Sequence, residues 1–396
     1  MNYDVGVYVH FPFCLRRCTY CDFATWAVRE SDIPHDAYAD AVLTEAAKRL
    51  SLAEGRIRLA SVFFGGGTPS LWKASAVGRI VRGLGRLVSE QVEELEVTVE
   101  ANPCRLDVRR VGELQAEGVT RLSVGVQSTD DTRLRMLGRV HDARAGLEAL
   151  RVARASGVKA VSADLMHGLP GENALHAVGE ARRIVDEGVD HLSAYLLALE
   201  PGTVLHEQVQ RGHLASVDDE QSAMSYVAVS DSMVDAGFAH YEVSNFARPG
   251  CACEHNARVW RGEPYLGLGV AAVGCMPVSG VGMVRTRNLL MVGAYERAVR
   301  ELAPSELVHT GPGVADVEVL DGEMRMRERI MLGLRTARGV DLQEESRALG
   351  VAGWTRDRQR QAVRLAQAGR LVVRGARVLI PRRQWLWESD TVARLL

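Results

Sequence analysis

Apolar residues gather in six short runs: Val5–His10, Ala60–Phe64, Leu95–Val99, Arg121–Val126, Lys159–Leu165 and His191–Leu197. Each is nearly continuous rather than alternating, the pattern of strands covered on both faces. Between them lie stretches with helical spacing, among them Asp36–Leu52, Asp107–Glu117, Asp142–Ser156 and Ala174–Glu187. The alternation predicts parallel β/α units, hence an α/β fold. Six units suggest a partial (β/α)6 barrel. A doubly wound open sheet has the same periodicity and stays open as an alternative. In both folds the chemistry belongs just after the strands, which is where this chain carries its most unusual residues.

Past Phe246 the alternation breaks. Residues 247–323 begin with a stretch rich in glycine and proline, expected to be a loop-rich crossover over the barrel mouth and to carry a haem or substrate segment. From Met324 the composition changes: residues 324–396 hold sixteen arginines against seven acidic residues, a net of +9 that leaves −11 for the remainder. Three helices (Arg325–Thr336, Leu342–Leu349, Thr355–Ala368) and a hairpin turning at Arg374-Gly375 predict a small winged-helix-like domain. No aromatic base-reading cluster accompanies its charge, so a packing module is expected and nucleic acid is not an expected partner. The expected domains are therefore 1–246, 247–323 and 324–396. Overall the chain is 47% hydrophobic and 25% charged with a net charge of −2, the profile of a globular protein with no strong pull toward nucleic acid or membrane. No apolar run reaches the roughly 18 residues of a membrane span. The first ten residues lack a basic segment and a cleavage site, so a cytoplasmic location is expected.

Seven cysteines are present, three of them packed as Cys14-Leu-Arg-Arg-Cys18-Thr-Tyr-Cys21 just after the first strand. In a large chain of this kind they read as metal ligands rather than disulfides. Three thiolates can hold three irons of a cubane cluster and leave the fourth iron open for another ligand. The alternative is a structural zinc with His10 as fourth ligand. The Cys-x-x-x-Cys-x-x-Cys spacing with an aromatic before the last cysteine resembles the radical S-adenosylmethionine (SAM) superfamily, and Tyr8-Val-His-Phe-Pro-Phe-Cys14 resembles its coproporphyrinogen-oxidase-like branch. The resemblance implies a radical SAM barrel whose 4Fe-4S cluster, on Cys14, Cys18 and Cys21, binds SAM and cleaves it to methionine and a deoxyadenosyl radical. It extends to the glycine-rich turn Gly65-Gly66-Gly67-Thr68-Pro69, with Gly66, Gly67 and Thr68 at the SAM amino group. Glu100 and Arg139 would hold the amino acid end, Gln127 and Asp164 the ribose hydroxyls, and Tyr8, Tyr20 and Ala198 the rest of that pocket. The pairings are chemically sound: carboxylate to ammonium, guanidinium to carboxylate, acceptors to hydroxyls.

Two features bear on the branch. Phe23 stands two positions after the third cysteine, where the oxidases have a further cysteine and the haem chaperones of the HemW type have phenylalanine. Tyr241–Gly250, followed by Cys253-Glu-His255-Asn256-Ala-Arg-Val259-Trp260, resembles the chaperone segment tied to haem. That resemblance implies haem as cargo, His255 as an axial ligand and Asn256 and Trp260 beside it. Val259 stands where the chaperones carry tyrosine. Gly267–Gly274, with Val273, stands where they show Gly-Pro-Gly-Ala-His and is closer to the oxidases. The expected function is a haem chaperone that passes its cargo to a haem-accepting protein, with a flavodoxin- or ferredoxin-like electron donor and a homodimer among the expected partners. The alternatives are a radical SAM enzyme acting by porphyrinogen decarboxylation, methyl transfer or cyclopropanation, and a redox-sensing DNA-binding regulator that uses the basic tail. Cys251, Cys253 and His255 together are a further candidate metal site.

Overall fold

The computed structural model describes residues 2–215, 218–308 and 312–396. Six parallel strands carry the predicted runs: β1 (Asn2–Phe11), β2 (Arg56–Gly66), β3 (Glu90–Ala101), β4 (Arg121–Gln127), β5 (Ala160–His167) and β6 (His191–Leu196). They lie side by side in chain order. A doubly wound sheet would reverse its strand order partway through the parallel strands; these six run in unbroken chain order, so the barrel-like reading holds. The helices fall between the strands as predicted, including His35–Leu50, Val108–Ala116, Ala143–Ala155 and Ala174–Val185. Asp107, Asp142 and Asn173 cap three of them by accepting backbone N–H bonds, the usual start signal for a helix. Val7, Val9, Leu59, Val62, Val97, Val99, Leu122 and Val124 fill one continuous core between strands and helices.

The segment after residue 247 departs from the expected loop-rich crossover. It folds into strands that extend the same sheet on the far side of β1. After β7 (Ala239–Glu242) and β8 (Asn245–Ala247), which pair antiparallel beyond β6, the chain crosses to form β9 (Tyr265–Leu268), β10 (Val273–Val278), β11 (Gly282–Asn288) and β12 (Val314–Leu320). The order is β12-β11-β10-β9-β1-β2-β3-β4-β5-β6-β8-β7, with β9 parallel to β1 and the outer strands antiparallel. The glycines that suggested a loop serve close strand contact instead: a Cβ on Gly267 would stand 2.1 Å from the Val273 carbonyl oxygen.

The last seventy residues form a separate cluster around Met326, Ile330, Leu365, Val378 and Trp385. Its helices Gly322–Gly333, Leu342–Leu349 and Arg356–Gln367 and its β14–β15 hairpin (Val372–Arg374, Arg377–Leu379), with β13 (Val340–Asp341) as third strand, have the expected winged-helix-like order. Much of its positive charge is spent internally. Arg335 pairs with Glu388, Arg370 and Arg394 with Asp390, and the buried Arg358 donates to the Leu395, Ala352 and Gly353 carbonyls. Arg382 reaches Asp231 and Ser230 of the barrel side. Val243 and Ala337 donate backbone bonds to the Arg335 and Tyr241 carbonyls, so residues 335–337 run along the outermost strand β7.

Candidate functional site

The cysteine loop leaves β1 at Phe11 and is tied down on several sides. Phe13–Cys14 pairs with Trp26–Ala27, and Thr19 bonds the Leu137 and Met136 carbonyls and accepts from the Leu205 N–H. Cys14 is buried, while Cys18 and Cys21 are half-buried. All three line one cavity of about 400 Å³. Burial pushes the Cys14 thiol up to about 11, with the neighbouring cysteines adding to the effect and a Thr68 hydrogen bond opposing it. The glycine turn closes against this loop. Gly66 lies at φ +109°, and a Cβ on Gly67 would stand 2.7 Å from the Phe13 carbonyl and 3.0 Å from Cys14 Sγ.

Every expected residue of this pocket except Tyr8 lines the cavity: Tyr20, Gly66, Gly67, Thr68, Glu100, Gln127, Arg139, Asp164 and Ala198. The Gly66 N–H donates to Glu100 Oε2 at 3.0 Å, and Ser123 donates to Asp164 at 3.1 Å. Burial, reinforced by Asp164, raises the Glu100 carboxyl to about 8, and burial raises Asp164 to about 6. Arg139 donates to the Gly125 carbonyl at 2.7 Å and to Cys18 Sγ at 3.3 Å, while its buried Nε has no partner. Gln127 sits at φ +66°, a left-handed backbone that costs about 1–3 kcal/mol in a non-glycine residue and turns β4 at the cavity rim. Tyr8 lies one layer away: it bonds His10 Nδ1 at 3.0 Å and stacks on Phe63, and it lines a second cavity.

The donor set fits a cluster with an outside ligand. Three thiols converge beside a buried guanidinium with an unused donor, and acidic groups stand opposite, ready for a cation. The zinc alternative fails on His10, whose two ring nitrogens are taken by Tyr8 and the Ala24 carbonyl. Among the described residues no three Cys, His, Asp or Glu side chains converge on a single ion position, which a cubane, with each thiolate on its own iron, does not require. The same observation removes Cys251, Cys253 and His255 as a metal site; Cys253 Sγ lies 3.5 Å from Glu96 Oε1 instead.

The second cavity, about 990 Å³, borders the first and shares Glu100, Tyr195, Phe63 and Asn256 with it. His255, Asn256 and Trp260 all line it, together with the departures Val259 and Val273. All but Val273, which opens β10, come from the helix Glu254–Trp260, which reaches the barrel because Gly6 leaves room; a Cβ there would stand 3.0 Å from Ser61 Oγ and 3.2 Å from His255 Nδ1. Ser61 holds that nitrogen at 3.1 Å, and Phe63 stacks on the ring at 5.2 Å, so Nε2 is the nitrogen left for the cavity. Burial, with Arg258 adding to it, lowers His255 to about 4 and keeps the imidazole neutral.

Sequence reasoning missed what holds this helix. Glu96 on β3 accepts the backbone N–H bonds of Glu254 and His255 at 3.2 and 3.1 Å, and Arg121 on β4 binds Glu96 at 3.0 Å and the carbonyls of Cys251 and Ala252. The signal was present as polar residues inside apolar runs: Ser61, Glu96, Thr98, Arg121, Ser123 and Ser162.

Residues 8–184 match the radical SAM superfamily and residues 320–387 the HemN C-terminal domain. The "Heme chaperone HemW" of Mycobacterium tuberculosis (strain H37Rv) is 35% identical over 395 residues, 99% of this chain and 94% of that one. The mouse (Mus musculus) "Radical S-adenosyl methionine domain-containing protein 1, mitochondrial" is 38% identical, covering 85% of this chain and 74% of that one. Among solved structures, the Escherichia coli coproporphyrinogen III oxidase HemN has the same fold, with a TM-score of 0.80 at 21% identity over 100% of this chain and 90% of that one. A thiol-lined pocket at the ends of six parallel strands thus stands in a chain whose relatives match it almost end to end, and the chain belongs to the HemW-type family of radical SAM proteins.

Proposed function

We propose that this protein is a haem chaperone: it binds haem in the second cavity through His255 Nε2 and transfers it to an acceptor protein. The observation that carries this reading is the large cavity walled by His255, whose imidazole is kept neutral and oriented by Ser61, lying against the thiol-lined pocket. Neutral imidazole suits haem iron, and a second nitrogen held by a hydroxyl fixes the ring for it. Cys14, Cys18 and Cys21 would hold a 4Fe-4S cluster. Gly66–Thr68, Glu100 and Arg139 would take the amino acid end of SAM, and Gln127 and Asp164 its ribose. When bound and reduced, the cluster supplies the electron for SAM cleavage. SAM held by these residues would border the cargo cavity across the shared wall at Glu100, Tyr195 and Asn256. An electron donor of the flavodoxin or ferredoxin type, a homodimer and a cytoplasmic location complete the proposal; no helix among the described residues is long and apolar enough to cross a membrane.

That shared wall also supports a second reading, a radical enzyme acting on a porphyrinogen or another small molecule in the same cavity. One experiment separates them: an anaerobic haem titration of the cluster-reconstituted protein with deoxyadenosine monitored in the same samples. Saturable binding near one haem per chain with little SAM turnover is expected. Absence of specific binding, or SAM turnover that depends on another small molecule with a changed product, would overturn the chaperone reading.

A further inference from the structure

The cargo cavity is walled by aromatic and aliphatic side chains such as Trp26, Trp260, Tyr265, Val273 and Met291 together with the carboxyls of Asp22, Glu100 and Glu242, and one exposed guanidinium projects from a strand in that wall without a partner. Arg287 makes no side-chain hydrogen bond and no ion pair among the described residues. On the same strand, two positions earlier, Arg285 is fully engaged with Glu318 and Glu328. The other arginine of the wall, Arg17, donates to the Cys21 carbonyl.

The aim of Arg287 follows from its neighbours. Thr286 and Asn288 are buried and bound to Arg49, and Asn288 also donates to Glu45 and the Gly269 carbonyl. That network pins β11 on both sides of Arg287, and strand alternation then turns Arg287 to the opposite, cavity face. Its partner across β10 is Val273, small and without a competing charge. Asp316 lies opposite on β12, outside the cavity lining, and does not close an ion pair.

A flat apolar ligand that carries carboxylates matches this arrangement: the macrocycle lies on the aromatic wall and a carboxylate meets the guanidinium fork, which binds it bidentately. We infer that Arg287 is the subsite for a propionate of the tetrapyrrole cargo and selects for cargo with a free carboxylate. This inference rests on the haem-chaperone reading above.

The test compares haem with haem dimethyl ester, which keeps the iron and the macrocycle but has no carboxylate. Both are titrated into the cluster-reconstituted wild type, Arg287→Met and Arg287→Lys. Wild type should bind haem about tenfold more tightly than the ester, the factor expected of one charged hydrogen-bonded contact. Arg287→Met should bind the two equally, with wild-type iron content and an unchanged Soret position because His255 still ligates. Arg287→Lys, which keeps the charge and loses the fork, should retain part of the preference. A Met variant that still prefers haem as strongly as wild type, or a wild type with no preference, overturns the subsite and leaves the chaperone reading standing. No saturable binding of either compound by wild type overturns the chaperone reading, and the subsite with it.

Discussion

The thiol-lined cavity draws its side chains from the ends of six consecutive parallel strands: the cysteines after β1, the glycine turn after β2, Glu100 on β3, Gln127 on β4, Asp164 on β5 and Ala198 after β6. The His255 cavity draws on β1 itself, a seven-residue helix and the antiparallel strands added on the other side. The first is the smaller and is fixed by the barrel; the second is more than twice its volume and is hung on the first by the Glu96–Arg121 clamp. The difference teaches where each can fail. Damage to the loop chemistry should empty the first cavity alone, and damage to the clamp should disable the second while the first survives.

The largest effect is expected at the cysteines. Cys14→Ser, Cys18→Ser and Cys21→Ser should each lose most of the iron after anaerobic reconstitution, whereas Cys104→Ser and Cys275→Ser, outside the cavity lining, should keep it. Equal iron in all five variants would remove the basis for treating the first cavity as a cluster site. Next comes His255→Ala, expected to shift or abolish the Soret band of bound haem without changing SAM binding. An unchanged spectrum would detach the second cavity from haem, because Cys253 faces Glu96 and His240 is stacked on Phe246.

Glu96→Ala tests the connection itself. It leaves Arg121, only 4% exposed at its side chain, without its counter-charge, a change that costs about 3–5 kcal/mol for a buried pair. Thermal unfolding should register that loss. Among molecules that stay folded, haem affinity should fall far more than iron content; a parallel fall in both would mean the clamp serves the barrel and not the helix.

The smallest effect concerns protons in the first cavity. With Glu100 raised to about 8 by burial, its carboxyl is largely protonated at pH 7, and an ammonium-bearing ligand binds best to the ionised form. SAM binding should therefore release up to one proton at pH 7 and tighten by no more than about tenfold per unit as pH rises toward 8. Calorimetry in buffers of different ionisation enthalpy measures this directly, and proton uptake would contradict it. In the second cavity the shift runs downward: His255, lowered to about 4, stays neutral through the range where a free histidine would titrate, so haem ligation should show no step near pH 6.5.

The same contrast explains what the sequence disclosed. Strands buried on both faces announce themselves as apolar runs, and residues near their ends fall together whatever the details, so the residues named by the family resemblance come to line one cavity. Tyr8 was the exception: it packs on Phe63, bonds His10 and lines the neighbouring cavity. The second cavity depends on strand pairings that the local pattern does not announce. Gly6 opposite Tyr265 and Val273 opposite Arg287 are facts of register, and glycine-rich strands such as Tyr265–Leu268 carry too little apolar pattern to be told from loops. Arg121 and Glu96 were visible as charges within strands, but only the fold shows that they reach for the backbone of residues 251–255.

The strip of chain at residues 335–337 has one more consequence. By lying along β7 it occupies the hydrogen-bonding groups at one end of a twelve-stranded sheet, while the other end, β12, is edged by Asp316 and Glu318. One margin is thus guarded by charge and the other by the protein's own C-terminal domain. A chain stopped at Leu320 would keep both cavities' walls but bare the backbone margin of β7, and exposed strand edges recruit one another. Such a fragment should be lost to aggregation before any failure of chemistry could be seen, so the arginine-rich tail serves as insurance against self-association.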